Sequence, residues 1–165
     1  MTDRKSKYLF ESSLIPDSIS AKVRPLQRSD YARGFLTCLS DLTWIGEVDQ
    51  KSFEERFDWL ATVGRGWNYC IVIDDGDKIV ATATMIVDRK FIQNLTTVAH
   101  VEDVSVLATH QRKGLGLLLL KALEGTAKNL GVKKLILDCG DRNVGFYERC
   151  GYTESGHHMS LDCKD

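Results

Sequence analysis

The sequence has 165 residues, 43% hydrophobic and 27% charged, the composition of an ordinary globular chain long enough to bury one core. Basic residues number 22 against 23 acidic ones, and a net charge of -1 gives no general attraction to nucleic acid or an anionic membrane. No run of about 18 apolar residues exists to span a bilayer, no apolar signal core follows Met1–Lys5, and Cys38, Cys70, Cys139, Cys150 and Cys163 are widely spaced without a CxxC pair. A disulfide framework or zinc site is not expected, and thiols in a reducing, cytoplasmic compartment are.

Residues 1–21 are polar around one apolar island, Leu14–Ile15, and read as an N-terminal arm preceding a single domain over 22–165. Lys22–Arg24 reads as a short strand stopped by Pro25. Ser29 is placed to cap a helix carrying Ala32, Phe35, Leu36 and Leu39 on one face, and Asp49 to cap another carrying Phe53, Phe57 and Leu60. Between them lies a loop from Asp41 to Val48. Tyr69–Ile73 and Ile79–Val87 flank the polar turn Asp74–Asp77 and predict a hairpin. A link at Gln93–Asn94 leads to a strand over Val98–Val106. Gly114–Leu130 is the strongest helix, with Leu119, Leu123, Ala127 and Leu130 at helical spacing and Gly131 as its stop. Lys133–Cys139 predicts a strand, Asn143 the cap of a short helix through Arg149, and Gly156–Leu161 a last strand. This order argues for an α/β fold, one mixed sheet flanked by helices.

The most informative stretch joins the acidic strand to the long helix: Val104-Ser105-Val106, then Gln111-Arg112-Lys113-Gly114-Leu115-Gly116. A helix start offers unpaired N–H groups and the positive end of the dipole, glycines let a backbone approach an anion closely, and two cations stand beside them. That combination suits a pyrophosphate; the plainer alternative is a helix-entering turn and nothing more. The spacing excludes a GxxxxGK[ST] loop and a GxGxxG fingerprint, because Leu118-Leu119-Leu120 follow Leu117.

Here the chain resembles the GNAT superfamily of acetyl-coenzyme A-dependent N-acetyltransferases, whose signature Gln/Arg-x-x-Gly-x-Gly/Ala is matched by Gln111–Gly116. The resemblance implies the GNAT fold and acetyl-coenzyme A as co-substrate. It places the pyrophosphate at Arg112, Lys113, Gly114, Leu115, Gly116 and Leu117, and the pantetheine arm along a bulged strand at Val104, Ser105 and Val106. Asn143 and Tyr147 also fall at the coenzyme.

The chain is further similar to the eukaryotic glucosamine-6-phosphate N-acetyltransferases. Arg24-Pro25-Leu26, Leu42-Thr43-Trp44-Ile45-Gly46, Arg89-Lys90-Phe91-Ile92, Val101-Glu102-Asp103-Val104, Leu137-Asp138-Cys139 and Asn143–Tyr152 carry that likeness. It implies glucosamine 6-phosphate as acceptor, a homodimer with shared sites and no metal. Acceptor contacts fall at Thr43, Lys90, Phe91, Ile92, Gln93, Glu102, Asp103 and Asp138, and catalytic roles at Glu102, Asp138 and Tyr147. The backbone carbonyl of Asp138 would hold the amine, and the Tyr147 phenol, an uncharged directed donor, would meet the departing thiolate.

Adjacent strand residues point to opposite faces, so Glu102 and Asp103 serve one pocket only if a bulge turns one of them. Glu102 is the expected sugar ligand; Asp103 contributes backbone or a structural ion pair. Cys139 reads as a buried structural thiol, not as an acetylated nucleophile. The likeness weakens at Gln93, where many relatives have histidine, and at Asp162, where some carry arginine; Lys164 is the cation nearest to replace it. The alternatives are a GNAT enzyme acting on another small amine or a peptide amine, and a non-catalytic coenzyme A-binding module.

Overall fold

The computed structural model describes residues 7–163. Five strands form one sheet in the order β1-β2-β3-β4-β5: Val23–Pro25, Asn68–Asp74, Ile79–Arg89, Thr97–Val106 and Lys134–Ile136. The first four are joined antiparallel and β5 lies parallel to β4, which makes the sheet mixed. Residues 79–85 of β3 are all buried. A strand buried on both faces has no reason to alternate, and α5 (Leu115–Asn129) packs against β2, β3 and β4 while α2 (Phe35–Ser40) covers β3 and β4. Leu119 and Leu123 of α5 are wholly buried, each contributing about 1.5–3 kcal/mol to folding.

The sequence-derived helix after Ser29 is broken in two. A 3-10 turn over Arg28–Tyr31 is capped by Gln27 in a box with Asp30, not by Ser29, and Gly34 at φ 79° ends it before α2 begins. The cause is ionic. Asp30 is fully buried, takes the Gln27 N–H at 2.8 Å, and receives both terminal nitrogens of Arg24 at 2.8 Å. Arg24 and Arg33 also meet Asp74, at 2.9 and 2.6 Å, so a four-residue charge cluster ties β1 to the β2–β3 turn. Burial pushes the Asp74 carboxyl up, but the two guanidinium groups and the Gly76 N–H outweigh it and hold the group below its ordinary range. Asp49 caps α3 (Gln50–Thr62) as expected, its carboxylate accepting the Ser52 N–H at 2.7 Å.

Residues 7–22 lie against the body of the fold. They include a single helical turn, α1 (Asp17–Ser20), and bury Leu9 and Ile15. Asn129 donates to the Leu14 carbonyl at 2.9 Å, and Pro16 sits so close to Gly125 of α5 that a Cβ there would come within 2.1 Å of its ring. A bare glycine backbone in mid-helix is what lets this segment seat.

Three expectations at the C-terminal end are corrected. β5 stops at Ile136, where the sequence ran a strand on to Cys139. Helix α6 (Asp141–Arg149) begins after Gly140, which puts Asn143 inside the first turn and not at its cap. No strand forms over Gly156–Leu161 among the described residues; the segment is extended and open, with Met159 89% exposed. A strand needs a partner edge, and among the described residues none pairs with this segment. One turn, α4 (Ile92–Leu95), closes the β3–β4 hairpin.

Candidate active site

β4 and β5 pair over three positions only: Val98 with Lys134, Ala99 with Leu135, and His100 with Ile136. Beyond His100, β4 continues to Val106 while the segment after Ile136 leaves the sheet, so a wedge opens between them. Carried two residues past the last pair, the same register sets Glu102 level with Asp138. The β4 edge facing the wedge has lost its strand partner, which leaves backbone groups free for a ligand.

A bulge sits at this point. Thr82 pairs with Ser105 and Thr84 with Glu102, so the one residue between them on β3 faces both Asp103 and Val104. Asp103 takes φ 52°, a left-handed conformation that aspartate tolerates better than branched side chains. Alternation is broken, and Glu102 and Asp103 are both exposed where an unbulged strand would send one inward. Ser105 is buried, its hydroxyl donating to the Cys38 carbonyl at 2.6 Å. Its side chain therefore anchors β4 to α2, and only its backbone is left to line the wedge.

The glycine turn stands at the far end of β4. Gly114 is the N-cap of α5 at φ 78°, and space around its Cβ position is empty. Arg112 is also left-handed, at φ 61°, and Arg112 and Lys113 are exposed beside the free N–H groups of the first turn. Gln111 donates to the Val106 carbonyl at 3.2 Å and fastens the loop to the strand. Leu115 and Leu117 lie in that first turn. Gly116 also serves packing, since a Cβ there would stand 3.0 Å from the Phe146 ring of α6. The residue thus lets the two helices meet, a contact that spacing alone did not indicate.

Phe146 in turn packs edge-on against Tyr147, with ring centroids 5.0 Å apart, and Tyr152 closes the other side at 5.9 Å. Tyr147 is half-buried, and burial, with smaller contributions from Cys139 and Cys150, pushes its phenol above the ordinary value. Tyr152 is pushed further, to about 12, again chiefly by burial. Both phenols are therefore neutral donors at physiological pH. Tyr147 and Asp138 line one cleft of about 1170 Å³ between α5, the end of β5, α6 and the C-terminal segment. Asn143, in the first turn of α6, is exposed.

Cys139 lines the same cleft and is exposed, not buried as its apolar neighbours implied, because the strand ends before it. The thiols that are buried are Cys38 and Cys70, each raised to about 11 by loss of solvent.

The acceptor-side residues are brought together far less. Thr43 is exposed in the loop after α2, its N–H donating to the Leu39 carbonyl at 3.3 Å. Lys90 is ion-paired with Asp88. Phe91 is 95% exposed at the hairpin tip, next to Ile92 and Gln93, and Gln93, Asn94 and Leu95 all have positive φ. Asp162 is exposed, and Lys164 lies outside the described residues. One contact was not foreseen: His158, in the C-terminal segment, places Nδ1 3.1 Å from the Asp138 carboxylate. Among the described residues no three or more His, Cys, Asp or Glu side chains gather as a metal site would require, and no helix is long and apolar enough to cross a membrane.

Comparison with known proteins bears on the same segments. The profile of the acetyltransferase (GNAT) family matches residues 33–152. A Candida albicans glucosamine 6-phosphate N-acetyltransferase is 35% identical over 136 residues, 82% of this chain and 91% of that protein. A Drosophila melanogaster protein described as a probable glucosamine 6-phosphate N-acetyltransferase is 39% identical over 146 residues; the match covers 87% of this chain and 66% of that longer relative. The crystal structure of the Arabidopsis thaliana glucosamine-6-phosphate N-acetyltransferase superposes with a TM-score of 0.82 at 34% identity, over 87% of this chain and 98% of the other.

Proposed function

The chain belongs to the GNAT acetyltransferase family, an enzyme family with acetyl-coenzyme A as co-substrate, and from that premise we propose that its acceptor is the 2-amino group of D-glucosamine 6-phosphate. The product would be N-acetylglucosamine 6-phosphate, a precursor for amino-sugar nucleotide synthesis. The observation that carries the reading is the wedge between β4 and β5. A bulged strand bearing Glu102 and Asp103 runs along it towards a left-handed glycine and two cations, and Asp138, just past the end of β5, lines a cleft with the neutral phenol of Tyr147. Relatives bearing this acceptor in their names align over more than four fifths of the chain.

Acetyl-coenzyme A supplies an activated acyl group on sulfur. The residues fit it: the emptiness around Gly114 leaves room for a pyrophosphate against the first turn of α5, with Arg112 and Lys113 as countercharges. Val104, Ser105 and Val106 offer backbone along the wedge, and an N–H near Val104 polarises the acyl carbonyl. Glu102 orients the sugar, the Asp138 carbonyl accepts from its amine, and Tyr147 donates to the leaving sulfur. Fixing two substrates in one wedge supplies much of the acceleration.

Lys90 and Thr43 hold the sugar phosphate in this reading, with Phe91, Ile92, Gln93 and Asp103 beside them. Thr43, Phe91, Ile92 and Gln93 are exposed outside the sheet and Asp103 is exposed on β4, which supports a homodimer in which a second copy completes the pocket. The free thiols support a cytoplasmic setting. The test is release of free thiol from acetyl-coenzyme A with glucosamine 6-phosphate, glucosamine and several amines in parallel. Strong preference for the phosphorylated sugar is expected; equal turnover of unphosphorylated amines would remove the acceptor assignment.

A further inference from the structure

The acceptor amine is mostly an ammonium ion at neutral pH and has to lose a proton before it attacks, a step assigned to no residue above, where Glu102 is given to orienting the sugar. Tyr147, held neutral, is a donor. The Asp138 backbone carbonyl aligns the nitrogen without taking its proton. What the cleft holds is a carboxylate–imidazole pair: Asp138 Oδ2 and His158 Nδ1 stand 3.1 Å apart, and both residues line the cleft with Tyr147. An imidazole that donates Nδ1–H to a carboxylate is fixed in the tautomer whose Nε2 carries a lone pair, and its cation is stabilised once formed.

Resting on the acceptor assigned above, we infer that His158 takes the proton from the substrate ammonium, oriented by the Asp138 side chain. The C-terminal segment thereby contributes to the chemistry although it joins no sheet. The balance is simple. The ammonium gives one proton to His158 Nε2, which passes it to solvent. The free amine forms the C–N bond, and the C–S bond breaks. The second nitrogen proton ends on the coenzyme A sulfur through Tyr147, which is left as it began.

Imidazoles change charge between about pH 5 and 8, so the neighbours bear on the test. The other titratable groups at the cleft are His100 from β4, Lys121, Glu124 and Lys128 from α5, and Lys133 and Lys134 at β5. Cys139 and Asp141 follow, with Tyr147, Glu148 and Cys150 from α6, Tyr152 after it, and Glu154 and His157 from the C-terminal segment. Of these, only His100 and His157 are imidazoles. His157 adjoins His158 without the carboxylate contact and is the internal control.

The experiment is kcat/KM for glucosamine 6-phosphate across pH 5.5–9.5 in the wild type, His158→Gln, His158→Ala and His157→Gln. His158→Gln should lose about 100-fold at pH 7, with the deficit shrinking as pH rises and free amine becomes abundant. Added imidazole should restore part of the His158→Ala rate, and His157→Gln should follow the wild type. A purely structural role would not produce imidazole rescue or a pH-dependent deficit. A His158→Gln profile superimposable on that of an active wild type overturns the inference alone. A wild type inert toward glucosamine 6-phosphate overturns the acceptor assignment and this inference with it.

Discussion

The residues proposed to hold the donor and those proposed to hold the acceptor are built into the chain differently. At the donor end, the bulge of β4, the left-handed Arg112 and Gly114 and the first turn of α5 are backbone features, held by Ser105 against Cys38, Gln111 against Val106, and a helix face buried to the last atom at Leu119 and Leu123. The residues proposed for the acceptor are side chains outside the sheet: Thr43 and Phe91 exposed, Lys90 half-buried, and His158 on a segment with no strand partner among the described residues. The donor end is prepared before any ligand arrives. The acceptor-side parts take positions that the core does not dictate, so substitutions of Thr43 or Lys90 should act on sugar affinity, those at the glycine turn on coenzyme binding, and those at Tyr147 or His158 on the chemistry.

The sharpest way to break that contrast is Tyr147→Phe, expected to lower kcat about 100-fold with little change in either KM, as measured by thiol release. An unchanged kcat would take the phenol out of the chemistry. Next, Gly114→Ala forces a Cβ into left-handed backbone at about 1–2 kcal/mol. If that strain weakens the bound loop, KM for acetyl-coenzyme A should rise about 10-fold while KM for the sugar stays put. An equal rise in both would mean that the two ends are not separable.

Lys90→Ala should raise the glucosamine 6-phosphate KM about 3- to 5-fold, a smaller effect because Asp88 already neutralises this half-buried lysine. No change in that KM would move the phosphate elsewhere. The smallest effect concerns stability. Asp74, whose carboxyl is held low by Arg24 and Arg33 against the cost of burial, contributes stability that is present above its unfolded value near pH 3.9. That contribution is lost as pH falls through the lower folded value. Thermal melts should show Asp74→Asn a few degrees below wild type at pH 7 and converging with it near pH 2; a constant gap would refute the linkage.

The core strands, α3 with its Asp49 cap, and α5 were legible because each satisfies its own period and its own cap locally. The family-type glycine turn was legible for the same reason, since a helix start and a positive φ are short-range properties. Ser29 misled because a residue suited to capping was displaced by Asp30, whose burial depends on Arg24 and, through it, on Asp74 much further along the chain. Cys139 misled because apolar neighbours imply burial only while the strand continues, and this strand ends at Ile136. Gly116 and Gly125 were visible as glycines, but Phe146 and Pro16 opposite them were not.

The amino-acid order by itself determined the central strands, α3 and α5, the glycine turn at the start of α5 and the adjacency of two carboxylates on one strand, all set within a few residues. Only the folded chain decided that β4 and β5 part after three pairs, that a bulge exposes Glu102 and Asp103 together, and that His158 comes to Asp138. Those outcomes turn on which distant edges and side chains compete for the same partner, and no local sequence pattern carries that information.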